Sequence, residues 1–525
     1  PLDTEAATYV DPTQAQGRAG FFRLRDEVRL VRFHTGLPET EIWGYADDNP
    51  PGKPWRYALG PTFRRFLTGS NRFAGTIVRH LNQLPADADH RGFGEPFTTT
   101  HLHGAHVPFR FDGFPTELRL TDGTQFDPVL ARGDVFDYAY PLLDPGFSTG
   151  GSADGVAERP STLWYHDHFL DFTAPNVYRG LVGFFLTYDG LDTANEATGL
   201  QLPSGDFDVP LALQEKTFNL NGQLVYDVFN TDGYLGREYC VNGKVRPKLN
   251  VKRRKYRFRF LNGSNARVYQ LFLCDKDGRS YPMTQIATEG GLMSRPVRNR
   301  PSLMLAMAER VEVVIDFNSF PHPQFTELFI ENRMDQDDGR GPDGKFEEPE
   351  LRRRGTQILK FVLEEQVPDN SRVPDVLRPF NAIPAATIAA ARVRRFEFER
   401  TNGQWAINDR LAGELRRVEA NPPLGVGEVW RLINDSGGWW HPIHVHHEFL
   451  RVIRRNGRLP FDGTGRDFGQ PIERDGVAKK DTILLGPHSQ VDVYVRFQDF
   501  KGPFVLHCHN LEHEDHQMMA RFDVV

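Results

Sequence analysis

Two histidines flank a cysteine near the C-terminus, in the run His507-Cys508-His509, and His513 and Met518 follow shortly after. A mononuclear blue copper ion is bound by two imidazole nitrogens, a thiolate and a weak axial thioether. Cys508, His513 and Met518 supply three of these four ligands. Because side chains alternate across a strand, Cys508 is expected to point to one face while His507 and His509 point to the other. The cysteine can therefore serve one metal ion while its neighbours serve another.

Three further histidine clusters lie outside this run. Each contains two histidines separated by one residue, a spacing that places both on the same face of a strand. Together with the C-terminal run they hold ten of the 18 histidines, which favours metal binding over unrelated surface histidines. The clusters are His101-Leu102-His103, His166-Asp167-His168 and His441-Pro442-Ile443-His444-Val445-His446.

The ligand count divides these residues between two sites. We assign His441, Cys508 and His513, with Met518 as the axial ligand, to a blue (type 1) copper that is expected to face solvent. Neutral imidazole is a good copper ligand, and eight rings can serve three ions at two or three nitrogens each. The remaining eight are His101, His103, His166, His168, His444, His446, His507 and His509.

This ligand inventory resembles that of the multicopper oxidases, the family of the laccases, ascorbate oxidase and bilirubin oxidase. The resemblance implies four copper ions, namely one type 1 ion, one type 2 ion and a type 3 pair. It matches His101 and His444 to the type 2 ligands. It matches six others to the type 3 ligands, which are His103, His166, His168, His446, His507 and His509.

Short sequence motifs show that the resemblance is strongest to the bilirubin oxidase and bacterial spore-coat laccase branch. The C-terminal run from His507 to Met519 carries most of it. Trp439 lies where bilirubin oxidases have a tryptophan, whereas Trp440 replaces a small residue. The resemblance covers most of the chain, through further phrases at residues 41–45, 100–104, 164–168 and 178–184.

The same resemblance predicts a catalytic set of Cys508, Asp112 and Glu514. Cys508 would pass electrons through its backbone to the histidines on either side. Asp112 and Glu514 match acidic positions that the laccase branch uses in proton delivery. The alternative for Asp112 is a turn carboxylate before Gly113, and the alternative for Glu514 is a partner for Arg or Lys.

An internal repeat predicts several copies of one domain. A strand-like phrase ending in Asn occurs at Ile77–Asn82, Tyr256–Asn262 and Trp430–Asn434, at spacings of 180 and 172 residues. Short alternating runs such as Val28–Phe33 and Val491–Arg496 favour Greek-key β-sandwiches. We therefore predict an all-β chain with three cupredoxin-like Greek-key β-sandwich domains in series, the architecture that the family resemblance implies.

The predicted domains span residues 1–190, 205–365 and 390–525. The linkers are a polar stretch between the first two domains and a Pro-containing stretch that ends in a helical turn at Ala385–Ala391. All predicted ligands lie in domains 1 and 3, so the trinuclear cluster is expected where these domains meet. Domain 2 is expected to act as a spacer without ligands.

Two polar inserts, Thr149–Arg159 and Met334–Gly355, are predicted to be solvated loops. Cys240 and Cys274 either form one disulfide or remain two buried thiols, and the sequence leaves both possibilities open.

Charge and hydropathy exclude several partners. The net charge of −7 gives no basic surface for nucleic acid, and no apolar run approaches the roughly 18 residues needed to span a bilayer. The expected partners are a small-molecule reductant and dioxygen, and the chain is expected to be a monomer. Because multicopper oxidases are usually exported, we expect an extracytoplasmic location after removal of a leader.

Three functional classes fit these residues. The first is an oxidase that couples one-electron oxidation of phenols, aromatic amines or tetrapyrroles to four-electron reduction of dioxygen to water. The second is a metallo-oxidase for Mn(II), Fe(II) or Cu(I), for which Glu448, Glu512 and Asp515 are candidate ion ligands near the type 1 residues. The third is a non-catalytic copper-binding scaffold, which would tolerate missing ligands, and a nitrite reductase would lack the full set of eight histidines.

We favour the organic oxidase. The chain has only seven methionines and no Met-rich insert of the kind found in cuprous oxidases. Trp439 and Trp440, next to His441, would form an aromatic surface on which a planar donor could pack. The alternative for these two residues is core packing.

Overall fold

The computed structural model describes residues 20–66, 75–86, 92–120, 123–142, 159–345, 348–379, 382–456 and 478–525. Most of the regular secondary structure is β-strand, which confirms the all-β prediction. The described strands form six sheets of four or more strands, two in each of three successive stretches, and two small hairpins. No helix within these ranges is long and apolar enough to span a bilayer.

The first stretch forms a sandwich of two four-stranded sheets. Its elements are β1 (Gly20–Val31), β2 (Thr40–Asp47), β3 (Phe63–Phe66), β4 (Thr76–Asn82), β5 (Thr100–His103), β6 (Leu118–Arg119), β7 (Gln125–Phe126), β8 (Val135–Tyr140), β9 (Thr162–Asp167), α1 (Thr173–Arg179) and β10 (Val182–Tyr188). The sheet orders are β2-β1-β4-β8 and β3-β10-β9-β5. Phe22 of the first sheet packs edge-on against Phe63 of the second, with ring centroids 5.1 Å apart.

The second stretch forms a larger sandwich. Its strands are β11 (Asp208–Lys216), β12 (Glu238–Val241), β13 (Lys244–Val245), β14 (Lys248–Arg253), β15 (Lys255–Asn262), β16 (Tyr269–Cys274), β17 (Ser280–Tyr281), β18 (Met283–Thr288), β19 (Gly291–Arg300), β20 (Leu303–Leu305), β21 (Arg310–Asp316), β22 (Glu327–Met334), β23 (Gly344–Lys345), β24 (Glu348–Pro349) and β25 (Leu351–Gln366). The sheet orders are β13-β12-β11-β15-β21-β18-β19 and β14-β25-β22-β16-β17, with β20 paired to β16. Phe258 and Phe361 join the two sheets in the core, at 5.1 Å between ring centroids.

The third stretch forms a sandwich of two five-stranded sheets. Its elements are α2 (Ala385–Ala390), β26 (Arg392–Thr401), β27 (Gln404–Ile407), β28 (Val418–Ala420), β29 (Glu428–Asn434), β30 (His441–Val445), β31 (Arg451–Arg455), β32 (Thr482–Leu485), β33 (Gln490–Val495), β34 (Gly502–Cys508), α3 (Leu511–Asp515) and β35 (Met519–Val524). The sheet orders are β27-β26-β29-β33-β31 and β28-β35-β34-β30-β32. Trp430 and Phe522 pack across its core, at 5.2 Å between ring centroids. Helix α2 is the predicted helical turn.

The three repeated phrases occupy equivalent strands, which confirms the internal repeat. Strands β4, β15 and β29 run parallel to the strands that open each stretch, β1, β11 and β26. Asn82, Asn262 and Asn434 end these strands, and each accepts the backbone N–H two residues later at 2.9–3.1 Å. Each also donates its amide to two backbone carbonyls. The same hydrogen-bond arrangement of a strand-ending Asn therefore occurs in all three stretches. The exact domain limits stay a prediction.

Two sequence expectations need correction. The insert Met334–Gly355 is not a solvated loop, because it contains the β23–β24 hairpin and the start of β25. In addition, the backbone carbonyl of Arg340 accepts the N–H of Trp440 at 2.7 Å. Cys240 and Cys274 are free buried thiols, so the disulfide alternative is wrong. Of the other insert, residues 149–158 lie outside the described ranges.

A buried ion network joins the first two sandwiches. The Arg259 guanidinium donates to both carboxylate oxygens of Asp208, at 2.6 and 2.9 Å, and to Glu312 at 3.0 Å. It also reaches the hydroxyl of Thr162 at 3.0 Å, at the start of β9. Because buried charges must be fully paired to be tolerated, this network fixes strand β9, which carries His166, relative to the second sandwich.

Candidate metal centre

Two antiparallel strand pairs carry the histidines of the predicted trinuclear cluster. In the first sandwich β5 pairs with β9, and His101 lies directly opposite His166. In the third sandwich β30 pairs with β34, and His444 lies directly opposite His507. The two pairs face each other, since the rings of His101 and His444 are 5.6 Å apart. The cluster histidines thus meet where the first and third sandwiches touch.

All eight predicted cluster histidines come together in this interface. The closest ring nitrogens are the Nε2 atoms of His101 and His444, 3.4 Å apart, and those of His507 with His168 and His446, 3.3 and 3.2 Å apart. Three groups have ligand atoms within 4.8 Å of one another, and together they include every member. The groups are His101/His103/His444, His103/His166/His509 and His168/His446/His507.

Protein acceptors fix which nitrogen faces the cluster in six of the eight rings. Five rings donate Nδ1–H to an oxygen and leave Nε2 directed inward, an arrangement typical of metal-bound histidines. His103 is reversed, because its Nε2 lies 3.3 Å from Asp481 Oδ1. The five donor–acceptor pairs are His101–Asp112 O (2.6 Å), His166–Asp167 O (2.7 Å), His444–Asp481 O (2.8 Å), His446–Asp112 Oδ2 (2.7 Å) and His507–Cys508 O (3.1 Å).

The inward nitrogens fit a metal ion. His103 Nδ1, His166 Nε2 and both nitrogens of His509 are buried without a hydrogen-bond partner among the described residues. A buried polar atom without a partner is costly unless a ligand satisfies it. Burial also lowers the pKa of six rings well below its usual value, which keeps them in the neutral form that binds copper. They are His103, His166, His168, His444, His446 and His509.

The predicted type 1 ligands form a compact triangle inside the third sandwich. Cys508 Sγ lies 3.4 Å from His441 Nδ1 and 3.6 Å from His513 Nδ1, and the two nitrogens are 3.1 Å apart. The centre of such a triangle is about 2 Å from each atom, the usual bond length between a divalent metal ion and imidazole nitrogen. The three atoms therefore fit the trigonal N₂S set of a blue copper site.

Hydrogen bonds prepare both imidazoles for binding through Nδ1. His441 Nε2 donates to Ser436 Oγ at 2.6 Å, and His513 Nε2 donates to the carbonyl of Asp232 at 3.0 Å. Burial lowers the pKa of His441 to about 3, so the ring is neutral. Burial raises the pKa of the Cys508 thiol well above its usual range, and a coordinated metal ion is what deprotonates such a thiol.

Met518 is placed with Cys508, and Met519 is not. Met518 belongs to the apolar core cluster that contains Cys508, whereas Met519 packs in a separate cluster with Val505. Backbone bonds hold Met518 in register, because its N–H donates to His513 O at 2.9 Å and its carbonyl accepts from Cys508 N–H at 3.0 Å. This placement favours Met518 as the axial ligand.

Asp112 and Glu514 both border the cluster. Asp112 follows a 3₁₀ turn at Phe109–Phe111, and Gly113 after it has a φ of 73°, where a Cβ would collide with the backbone of Thr100. Asp112 therefore both precedes a turn glycine and borders the histidine cluster. The buried Glu514 carboxylate lies 3.0 Å from His507 Nδ1, and within the described chain it pairs with no Arg or Lys.

Sequence reasoning missed Asp481, which supports two cluster histidines at once. Its carbonyl accepts from His444 and its carboxylate lies beside His103. Arg310, at the start of β21 in the second sandwich, donates to both carboxylate oxygens at 2.9 and 2.6 Å. Gly104 (φ 84°) accommodates this pair, because a Cβ there would collide with both side chains. The second sandwich therefore does more than act as the predicted spacer.

The structure corrects the expected exposure of the type 1 site and decides between the two alternatives for Trp440. His441 and His513 are 0% exposed, so the site does not face solvent directly. Trp440 is buried against Ala306 and Leu484, which makes it a core residue, whereas Trp439 is half-buried.

The carboxylates proposed for a metal-ion substrate are buried and engaged elsewhere. Glu512 accepts from Asn265 at 2.7 Å and from Tyr226 at 2.8 Å. Asp515 accepts two backbone N–H groups at the start of α1. Glu448 is buried beside His106. The structure therefore removes the observation that kept the metallo-oxidase alternative open.

Comparison with known proteins agrees with this geometry. Residues 388–525 match the family model described as multicopper oxidase. The chain is 33% identical to a bilirubin oxidase from Albifimbria verrucaria over 100% of this chain and 79% of the relative. It is 31% identical to a laccase from Bacillus stratosphericus, over 98% of this chain and 97% of that one.

A solved structure extends the agreement to the fold. The McoA multicopper oxidase from Aquifex aeolicus superposes with a TM-score of 0.75 at 22% identity, covering 99% of this chain and 98% of that one. The chain belongs to the multicopper oxidases, with the cupredoxin-type β-sandwich fold of that family. It is a copper-dependent oxidoreductase.

Replacing Cys508 tests the type 1 assignment. In Cys508→Ser we expect the intense blue absorption and substrate oxidation to disappear, because a hydroxyl is a poor ligand for this copper. Copper at the histidine cluster should be retained, as measured by metal analysis and electron paramagnetic resonance. Cys240→Ser, which alters a buried free thiol of the second sandwich, is the control and should stay blue. A blue Cys508→Ser protein would contradict the assignment.

Replacing Arg310 tests the support that the second sandwich gives to the cluster. In Arg310→Met we expect copper affinity at the histidine cluster to fall about 10- to 100-fold, with the blue absorption kept, as measured by copper titration. The variant should also lose about 3–5 kcal/mol of stability, because Asp481 is left buried and unpaired. Arg254→Met is the control, because it breaks the buried pairs of Arg254 with Glu196 and Asp369 between β14 and β15, strands that carry no predicted ligand, and it should lose stability without losing copper. Equal copper loss in both variants would count against a specific role.

Proposed function

We propose that this chain is an oxidase of laccase or bilirubin oxidase type with four copper ions. His441, Cys508, His513 and Met518 would hold the type 1 ion, and His101 with His444 the type 2 ion. The type 3 pair would be held by His103, His166, His168, His446, His507 and His509. The observation that carries the proposal is the union of a complete N₂S set and a complete eight-histidine cluster in one chain, with His507 and His509 covalently attached to Cys508.

Bound copper would accept single electrons from the reductant and supply them to dioxygen, which is reduced to water. The chain connects the two sites by the shortest covalent route available, since Cys508 is bonded to both neighbouring cluster histidines. The buried interface excludes bulk water from these rings, all of which are at most 1% exposed. A non-catalytic scaffold would not require this complete set.

We propose organic reductants as the substrates, namely phenols, aromatic amines or tetrapyrroles. Relatives named bilirubin oxidase and laccase support this class. The surroundings of the type 1 residues support it too, because the aromatic ring of Trp405 packs on His513, at 4.0 Å between ring centroids. The three carboxylates considered for a metal-ion substrate are buried and engaged in other bonds, which weakens the metallo-oxidase alternative.

Two carboxylates would handle the protons that dioxygen reduction consumes. Asp112 Oδ2 accepts from His446 Nδ1, and the Asp112 carbonyl accepts from His101 Nδ1, so this residue touches both a type 2 and a type 3 candidate. Glu514 lies near two other cluster histidines, 3.0 Å from His507 Nδ1 and 3.6 Å from His168 Nε2. These contacts support the proposal that both carboxylates deliver protons without displacing a ligand.

A substitution at Asp112 tests proton delivery. Asp112→Asn keeps the size and can still accept from His446, but it deletes the group that carries a proton. We expect turnover to fall by about 10²-fold, while copper content, blue colour and the anaerobic rate of type 1 reduction are unchanged. Asp26→Asn is the control, since Asp26 is also buried against an imidazole, that of His80 at 3.2 Å, away from the cluster. Parental turnover in Asp112→Asn would return this residue to a purely structural role.

Steady-state oxygen uptake tests the substrate class. The copper-loaded protein is supplied in turn with phenols, bilirubin, Mn(II), Fe(II) and Cu(I). We expect kcat/KM to be highest for the organic reductants. A larger kcat/KM for one of the metal ions would overturn the organic assignment, and no oxygen uptake with any reductant would overturn the oxidase proposal itself.

A further inference from the structure

A cavity lies between the first and second sandwiches, away from the predicted metal sites. It encloses about 900 Å³, within the roughly 300–1,000 Å³ of small-molecule sites. Two edge strands border it, β3 of the first sandwich and β14 of the second. Strand β5, which carries cluster histidines, lies at the other edge of the β3 sheet, three strand spacings of about 4.8 Å away. None of the described residues that line the cavity is a predicted copper ligand.

Aromatic rings from both sandwiches line the cavity. Phe66, at the end of β3, and Tyr188, at the end of β10, have ring centroids 5.6 Å apart. From the second sandwich, Phe207 and Tyr256 pack edge to face at 5.2 Å. Phe66 is 51% exposed and Phe207 is half-buried, so both rings keep surface that a ligand can cover. Because aromatic rings pack well on one another, this lining favours an aromatic ligand.

The charged lining of the cavity is mainly basic. Of the described residues that line it, four are basic and two are acidic. Lys252 and Arg254 each pair with two carboxylates. Arg65 donates to the hydroxyl of Thr76 at 2.8 Å. The fourth basic residue, Arg64, is therefore the candidate for binding an anion.

Arg64 retains hydrogen-bond donors for a ligand. Its Nη1–H donates to the hydroxyl of Tyr188 at 2.7 Å, and its Nη2–H donates to the backbone carbonyl of Asp208 at 3.0 Å. A guanidinium has five N–H groups, and this side chain is 20% exposed. The Asp208 carboxylate is 3.8 Å from Nη1, and Arg259 binds both of its oxygens. The other lining acid, Asp206, is exposed to water. A carboxylate in the cavity would therefore form charge-assisted hydrogen bonds with Arg64.

We propose that this cavity is a binding site for small aromatic carboxylates. Arg64 binds the carboxylate, and the rings of Phe66 and Phe207 contact the aromatic body. The bound acid is held there and is not oxidised, since the lining offers no predicted copper ligand among the described residues. It contacts residues of both sandwiches, so its binding stabilises their relative placement by mass action. Such binding is independent of the proposed oxidase activity.

Isothermal titration calorimetry of the copper-loaded protein tests the site with two matched probes. 2-Naphthoate carries the carboxylate and has no phenol or amine to be oxidised. 2-Naphthamide is a neutral molecule of nearly the same shape. We expect saturable binding of 2-naphthoate, about tenfold or more tighter than that of 2-naphthamide, because a hydrogen bond between charged groups is stronger than one to a neutral group.

Two variants of the lining separate the charge from the ring contact. Arg64→Met should remove the preference for 2-naphthoate, so that both probes bind with the affinity of the neutral one. Phe66→Ser should weaken both probes by a similar factor, about two- to tenfold, because it removes a ring contact that both make. Phe66 is half-exposed, so this variant still provides a test if Arg64→Met does not fold.

Two residues elsewhere on the first sandwich provide matched controls. The Arg79 guanidinium lies 5.2 Å from the ring centroid of Phe21, and both side chains are partly exposed. Arg79→Met and Phe21→Ser change the same residue types outside the cavity. Both variants should bind the two probes with parental affinity.

Three results would overturn the proposal. The first is no saturable binding of 2-naphthoate to the parent. The second is equal affinity of the parent for the two probes, which would remove the anion requirement. The third is a preference for 2-naphthoate in Arg64→Met as large as in the parent, which would place the acid at another site. Oxygen uptake enters none of these measurements, so their failure leaves the proposed oxidase function untouched.

Discussion

The alternation of side chains over residues 507–509 is the constraint on which the rest of the centre depends. In the last residues of β34, Cys508 turns into the core of the third sandwich, and its neighbours turn outward to meet the first. A shift of the strand by one residue would exchange these faces. The β30–β34 pairing prevents such a shift, because it sets His444 opposite His507. The Cys508 triangle and the eight-histidine cluster are thereby held next to each other along the chain.

The second sandwich contributes no predicted ligand, yet it reaches both sites. Arg310 extends through Asp481 to the cluster histidines, and the carbonyl of Asp232 orients His513. The Arg259 network holds the same sandwich against the first. Buried ion pairs of this kind contribute little net stability but penalise any other arrangement of the charged groups. These ion pairs therefore fix the positions of the three sandwich cores relative to one another.

The sequence predicted which histidines the structure brings together, because a cysteine between two histidines is unusual and the spacing of the other histidines indicates strands. The recurring Asn-terminated phrase likewise revealed the repeat, since Asn82 and its counterparts make the same bonds in each copy. The sequence around Asp481 and Arg310 contains no such pattern. Their contact forms between strands that are distant in the chain, so it is visible only in the folded structure. The sequence also does not show which residues are buried. Trp440 and the His441 and His513 imidazoles were therefore expected closer to solvent than they are.

The position of the ligands along the chain has a consequence for biogenesis. Residues 507–518, from the end of β34 to the residue before β35, carry five of the predicted ligands, and their partners begin at His101 in the first sandwich. During synthesis the first two sandwiches can fold while these residues are still absent. Neither predicted ligand set is complete until β34 pairs with β30. Complete copper loading at either predicted site therefore requires that the last sandwich has folded.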